Sequence, residues 1–338
     1  MTGDFRDKKI VTIGNGTGQA TILKHLHSYV DNITSIVGVT DNGGHSGLLR
    51  RILNIPAPGD LRNCITNVCT EEDILAKLLK YRFAQGELEG TSLGNLIISA
   101  LTDIEGDMGK AIEKLGVMLG LKARILPATV ENTNICAELE NGQIIEGEFE
   151  IIRRENKDLR IVRMFHNPPV KAYKPCLEAI DNADVIVIAP GTLRTGIIST
   201  LLTEGMKETI AKSKARIIFI CNIMTNPGQT EDFSTQDHID EISRYLGRIP
   251  DYALIHAGFI PDFVQEIYLK ERSYPVKHVN IDYRDINIII EDLLEEISEN
   301  EIQKYQRIGD EQVLKTPHLI RHNSQKVASI ILERCLNN

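Results

Sequence analysis

Gly14-Asn15-Gly16-Thr17-Gly18 follows the apolar run Lys9-Ile10-Val11-Thr12-Ile13 and precedes the helical pattern Ile22-Leu23-Leu26-Tyr29. A strand, a glycine turn and a helix let backbone N–H groups approach a ligand and aim a helix N-terminus at it, which favours an anion. The chemistry expected is binding of a phosphate or nucleotide. The spacing is GxGxG with Gln19 next, so the full GxGxxG fingerprint is missing, and no GK[ST] makes a P-loop. A tight turn without a ligand is the alternative reading.

A second group, Asp41-Asn42-Gly43-Gly44-His45-Ser46-Gly47, combines a carboxylate with small residues and a hydroxyl. Its backbone can form an anion-binding concavity, while Asp41 can take a sugar hydroxyl or a metal such as Mg2+, which needs only one or two carboxylates plus phosphate. A flexible turn is the alternative, and a lone His45 is more simply a surface residue. In Pro58-Gly59-Asp60-Leu61-Arg62-Asn63, Asp60 is placed to cap a helix and the Arg62 fork suits a phosphate. Ser92-Leu93-Gly94-Asn95 opens a further apolar helix, where Gly94 serves close packing or close ligand approach.

These groups need a scaffold that brings them together. Apolar runs over 9–13, 33–40, 183–189, 215–221 and 252–257 read as buried strands with helical patterns between them, the signature of a mostly parallel sheet covered on both faces. Four of these strands end in glycine-bearing loops; the last two are Pro190-Gly191-Thr192-Leu193-Arg194-Thr195-Gly196 and Asn222-Ile223-Met224-Thr225-Asn226-Pro227-Gly228. Ligands of open α/β sheets bind outside the carboxyl ends of the strands, so the four loops are expected to line one crevice. Over 122–170 the pattern changes to short alternating segments at 123–127, 134–139 and 143–152, with Glu140-Asn141-Gly142 as a hairpin signal. An antiparallel β insertion is expected, either extending the core or capping the site. The acidic stretch over 282–306 carries Ile288-Ile289-Ile290 and Leu293-Leu294-Ile297 at helical spacing, and 282–338 reads as an acidic helical segment.

The 338 residues are 42 % hydrophobic with a formal net charge of −9. Absence of a basic run argues against nucleic acid, which needs clustered Lys and Arg. The six cysteines form no CxxC pair or framework, so buried reduced thiols are expected. No stretch has the length of a membrane span, and the cytoplasm is the expected compartment. Neither GxSxG, a Cys-His arrangement nor HExxH is present, which disfavours hydrolysis by an activated nucleophile.

Together with Leu126-Pro127-Ala128-Thr129 and Ile320-Arg321-His322-Asn323, the motifs above resemble the YvcK branch of the CofD-like family, also called gluconeogenesis factors. The resemblance runs from about residue 9 to 275. It implies a Rossmann-like three-layer α/β/α sandwich forming a single domain with the small β insertion, in a cytoplasmic protein linked to carbon metabolism and cell shape. Members of that branch bind UDP-sugars; the related 2-phospho-L-lactate transferases move phospholactate from a guanosine diphosphate donor to a deazaflavin with Mg2+. Pro58–Asn63 and 76–86 resemble the YvcK branch better. Tyr268 and Arg321 match positions that contribute to UDP-sugar binding there. The chain departs from the family pattern at Asn15, Asn42, His45, Ala189, Thr192, Arg194 and Gly196, and Arg194 adds a positive charge where the family has Tyr.

The candidate ligand-binding set is Gly14, Asn15, Gly16, Thr17, Gly18, Asp41, Asn42, Gly43, Gly44, Ser46, Asp60, Arg62, Asn63, Asn95, Gly191, Thr192, Arg194, Asn222, Thr225, Tyr268 and Arg321, with Asp41 as metal candidate. The expected partner is a nucleotide diphosphate-linked small molecule, and a homodimer is the expected assembly. Three functions are carried forward: a nucleotide-sugar-binding regulator without turnover, a Mg2+-dependent transferase of the phospholactate type, and a scaffold that has lost its ligand.

Overall fold

The computed structural model describes residues 5–70, 72–298, 300–301 and 319–336. Its centre is the strand Lys9–Gly14 (β1), which pairs in parallel with Asn32–Val37 (β2) on one side and Val185–Ile188 (β7) on the other. Outside β2 lies Arg124–Pro127 (β3); outside β7 follow Arg216–Ile220 (β8), Tyr252–His256 (β9) and Asn287–Glu291 (β10). The seven strands, in the order β10-β9-β8-β7-β1-β2-β3, are all parallel. The chain builds outward from β1 in one direction and then returns to build in the other. Between β1 and β7 the strand order reverses, which opens a crevice at their carboxyl ends.

Alternation within the strands explains the layers. Ile10 of β1 and Ile218 and Ile220 of β8 enter the core on one face; Val11, Ile13, Ile217 and Phe219 enter the core on the other. A strand buried on both faces is apolar at nearly every position, which gives these strands their largely β-branched runs, and the buried Thr12 and Ser35 hydroxyls hydrogen-bond each other at 3.0 Å. The first face is covered by Gly16–Leu26 (α1), Gly59–Val68 (α3) and the helices Leu93–Glu105 and Met108–Met118; the second by Lys174–Asp181, Met206–Lys212 and Thr235–Leu246. Each large side chain fully buried there contributes about 1.5–3 kcal/mol.

Gln19 explains the incomplete glycine fingerprint. Its fully buried side chain donates from Nε2 to Ser35 Oγ and to Ile36 O, both at 2.9 Å, and so ties the start of α1 to β2. A glycine there would leave these acceptors without that donor.

Three sequence expectations change. The segment 123–127 belongs to the main sheet: Ile125 enters one core and Leu126 the other, so its alternation marks a strand covered on both faces. The antiparallel insertion is the three-stranded sheet Ile144–Glu146 (β5), Asn134–Leu139 (β4) and Ile161–Asn167 (β6), in that order. The expected strand 143–152 stops at Gly147, whose φ of +105° bends the chain into the helix Glu148–Arg153. Ile288-Ile289-Ile290 forms the edge strand β10, not a helix, because three adjacent β-branched side chains favour extended backbone and Asn287–Glu291 pairs along β9. The later part of the expected acidic helix, 302–318, lies outside the described residues; the helix Ser324–Ile330 follows it.

No helix of the described residues is long and apolar enough to cross a membrane. The six cysteines are free thiols, and all but the half-buried Cys69 are buried.

Candidate functional site

One residue, Asn15, joins β1 to α1, so Gly16, Thr17 and Gly18 form the first turn of that helix. Gly16 has φ +64° and open space where a side chain would project. Only glycine adopts that conformation freely. A Cβ on Gly18 would overlap the Pro190 carbonyl, and one on Gly196 would overlap the Asn15 amide, lying 2.6 Å from its Cγ. The loops after β1 and β7 are therefore in contact. Asn15 and Gly196 meet face to face.

After β7 the backbone makes a π-helical turn over Leu193–Ile198, in which Thr192 O accepts from both Gly196 N and Ile197 N at 3.0 Å. Such turns recur at functional sites because they re-aim side chains. The loop after β8 braces it: Asn222 Nδ2 donates to Gly191 O at 2.9 Å, Asn226 Oδ1 accepts from Leu193 N at 3.0 Å, and Gln229 Oε1 accepts from Thr195 N at 3.2 Å.

On the β2 side, Asp41 Oδ1 accepts the Gly43 N–H at 2.9 Å, and Gly44 opens the helix Gly44–Leu53 (α2) with φ +49°. A Cβ on Gly59 would lie 3.5 Å from Ser46 Cβ and overlap its hydroxyl. Asn95 Nδ2 reaches Ser46 Oγ at 3.3 Å, and Arg62 donates to Ser92 Oγ at 2.7 Å and to Asn63 Oδ1 at 2.6 Å. The expected cap of α3 is corrected: Pro58 occupies the N-cap, and Asp60 lies in the first turn, where its carboxylate favours the helix dipole without capping.

The insertion forms a wall of this region. Asn42 Oδ1 accepts the Phe149 N–H at 2.8 Å while its Nδ2 donates to Glu150 Oε2 at 2.6 Å. That hook brings Glu148 to Thr195, whose hydroxyl donates to Glu148 Oε1 at 3.1 Å. Spacing alone does not single out Glu148, because the segment alternates like a strand; Thr195, Asn226 and Gln229 lie inside or beside motifs whose other members were candidates.

Asp41, Asp60 and Glu148 concentrate negative charge. Burial raises the Asp60 carboxyl to about 7, with the Asp41 charge adding to the rise and the Gly16 amide and Arg62 offsetting part of it. Burial also raises Asp41, and it raises Glu148 well above the ordinary carboxylate range, helped by the charges of Asp41 and Asp60. Carboxylates that resist ionising together suit a divalent cation. Among the described residues no group of three or more His, Cys, Asp or Glu is gathered closely enough to hold a metal alone. Mg2+ needs only one or two carboxylates and completes its shell with phosphate and water, so Asp41 and Asp60 are the residues that would hold it.

Other candidates stand elsewhere. Arg194 turns away from solvent into an ion pair with Glu241, so its charge is already matched and the expected extra cation for a ligand is absent. Thr225 Oγ1 accepts the Tyr274 N–H at 2.9 Å and acts as a loop brace. Tyr268 is buried in a small cluster with Ile223, Val264 and Leu319, and its hydroxyl accepts from Ile320 N at 2.8 Å. Arg321 pairs with Glu295 at 3.2 Å and with Glu301, while the adjacent His322 approaches Cys221 O at 3.0 Å, tethering this segment to the end of β8. A groove of about 720 Å³ lined by Arg194, Gln229, Phe233, Arg272 and Tyr274 runs alongside.

Fold and crevice together define a doubly wound α/β protein of Rossmann-like architecture. The family described as 2-phospho-L-lactate transferase CofD matches residues 10–294, and the chain belongs to it, in the branch of the gluconeogenesis factors. It is 42 % identical over 327 residues to the "Putative gluconeogenesis factor" of Thermotoga maritima, covering 96 % of this chain and 98 % of the relative. To the "Gluconeogenesis factor" of Halalkalibacterium halodurans it is 37 % identical over 332 residues, covering 97 % of each. The crystal structure of a Bacillus halodurans protein superposes with a TM-score of 0.84 at 35 % identity, covering 97 % of this chain and 100 % of that one.

Proposed function

We propose that the chain is a regulator that binds a nucleotide sugar of the UDP type without converting it. The observation that supports this reading is the crevice between β1 and β7, where Gly16, with φ +64° and open space at its Cβ position, begins the first turn of α1, the kind of helix start that takes a phosphate. No activated nucleophile accompanies it in the sequence, and the relatives' name supports a role in carbon metabolism. The cytoplasm, a link to cell shape and a homodimer belong to the same proposal.

One observation favours a second reading. Asp41 and Asp60 suit Mg2+ beside a diphosphate, as a transferase of the 2-phospho-L-lactate type requires. The metal would supply charge neutralisation, and these two carboxylates would hold it.

The test is to incubate the protein with UDP- and GDP-linked sugars, and with a lactyl phosphate donor plus the deazaflavin, while following nucleoside monophosphate release. Stoichiometric binding of a UDP-sugar without release, abolished in a folded Gly16→Val variant, is expected. Multiple-turnover, Mg2+-dependent release of GMP would replace the regulator by the transferase.

A further inference from the structure

We propose that the groove beside the crevice receives the sugar of the nucleotide sugar, and that it selects a neutral, polyhydroxylated ring through the Gln229 amide and the Tyr274 side chain. The inference deepens the nucleotide-sugar reading and rests on it.

The groove adjoins the crevice through one pair of loops. Gly196 meets Asn15 at the start of α1, and the preceding residue, Thr195, donates from N to Gln229 Oε1 at 3.2 Å. Consecutive Cα atoms are about 3.8 Å apart, so the groove wall begins within reach of a sugar carried on a diphosphate at α1.

Gln229 supplies a donor whose direction is fixed. Only the oxygen of an amide accepts, and here it accepts the Thr195 N–H, so the other end is Nε2. The residue is 6 % exposed and lines the groove, yet among the described residues no acceptor takes its Nε2 hydrogens. A donor held in this way at a cavity wall calls for an acceptor on the ligand.

The charges of the groove favour a neutral ligand. Its lining holds five basic and four acidic side chains, and Glu241, paired with Arg194, brings a fifth acid. Arg272 spans Asp158 at 2.7 Å and Glu231 at 2.9 Å, and Asp237 accepts from the Ser234 N–H and hydroxyl. Because the charges match in sum, a further formal charge on the ligand gains little. Hydroxyl groups, which both donate and accept, suit a wall so rich in donors and acceptors. Tyr274 adds an aromatic surface with a polar tip: it is 37 % exposed, and its bond to Thr225 Oγ1 is made by the backbone N–H. At about 720 Å³ the groove has the size of a small-molecule site.

Calorimetry with UDP and UDP-glucose on the full chain tests this. Wild type is expected to bind UDP-glucose more tightly than UDP. Gln229→Glu keeps an acceptor for the Thr195 N–H and removes the donor, while Tyr274→Ala removes the ring and keeps the backbone bond. Each is expected to weaken UDP-glucose about three- to tenfold, a loss the size of one hydrogen bond, and to leave UDP within about twofold. Both should melt within a few degrees of wild type. Equal losses for the two ligands, no loss in either variant, or a wild type that gains nothing from the sugar would each overturn the inference alone. A wild type that binds neither ligand overturns the nucleotide reading and the inference with it. UDP-glucuronate checks the charge argument separately: tighter binding than UDP-glucose by a decade would reveal an unmatched cation in the groove and overturn the choice of a neutral ring.

Discussion

Arg194 donates from Nε to Glu241 Oε1 at 2.9 Å, and the two side chains are 10 % and 7 % exposed. The guanidinium also donates to Ile161 O at 3.0 Å and stacks over the Phe233 ring at 5.2 Å. Removing Glu241 strands the Arg194 charge in the interior, whereas removing Arg194 leaves Glu241 paired with Arg244 at 3.4 Å. Glu241→Ala should therefore cost about 3–5 kcal/mol in urea unfolding and Arg194→Ala less, whereas the apolar pair Arg194→Met with Glu241→Leu should come near wild type. Nucleotide-sugar affinity should stay within about twofold in the double variant, and a marked preference for acidic sugars that disappears with Arg194 would contradict this assignment.

The second prediction concerns pH. Asp60 has a native value of about 7 against an ordinary 3.8, so the folded protein holds that proton more tightly than the unfolded chain. The stability this contributes is complete below pH 3.8 and is lost as pH rises through 7. Asp41 and Glu148 shift in the same direction. Asp60→Asn should consequently melt higher than wild type at pH 8, by about 2–4 °C for each kcal/mol recovered, with the gap closing toward pH 4. Millimolar Mg2+ should raise the wild type at pH 8 and leave the variant less affected. Thermal melts across pH that run parallel for the two proteins would remove Asp60 from the titrating group.

Arg62 offers a third test. Its bonds to Ser92 and Asn63 hold the start of the helix Leu93–Glu105 against α3, and the residue is 8 % exposed. Arg62→Ala should lower stability by about 1–3 kcal/mol and weaken UDP by one to two decades while uridine is less affected. Equal losses for both ligands would make Arg62 a purely structural residue.

The strands that carry the crevice were legible because burial on both faces imposes unbroken apolar runs, as at Ile186 and Ile218, and their loops were legible because glycines stand out. What was hidden depends on distance in sequence. Glu148 reaches Thr195 only because Asn42, over a hundred positions earlier, hooks Phe149 and Glu150. Arg194 is a candidate ligand contact until Glu241 is placed beside it. Ile288-Ile289-Ile290 reads as helical by its spacing, and the neighbouring β9 makes it an edge strand instead. Tertiary context overrode local periodicity in each case.

The central strand has a consequence for how the chain is made. Lys9 N donates to Asp184 Oδ2 at 2.8 Å across 175 positions, and β1 completes its pairing only with β7. While the first half of the polypeptide leaves the ribosome, one edge of β1 is an unpaired ladder of Ile10, Val11 and Ile13, open to association with other nascent chains. The crevice does not exist until that late partner arrives. Fragments ending before residue 185 are expected to be chaperone clients that bind no nucleotide, and pausing of translation after β7, once it has emerged, would favour the correct closure of the sheet.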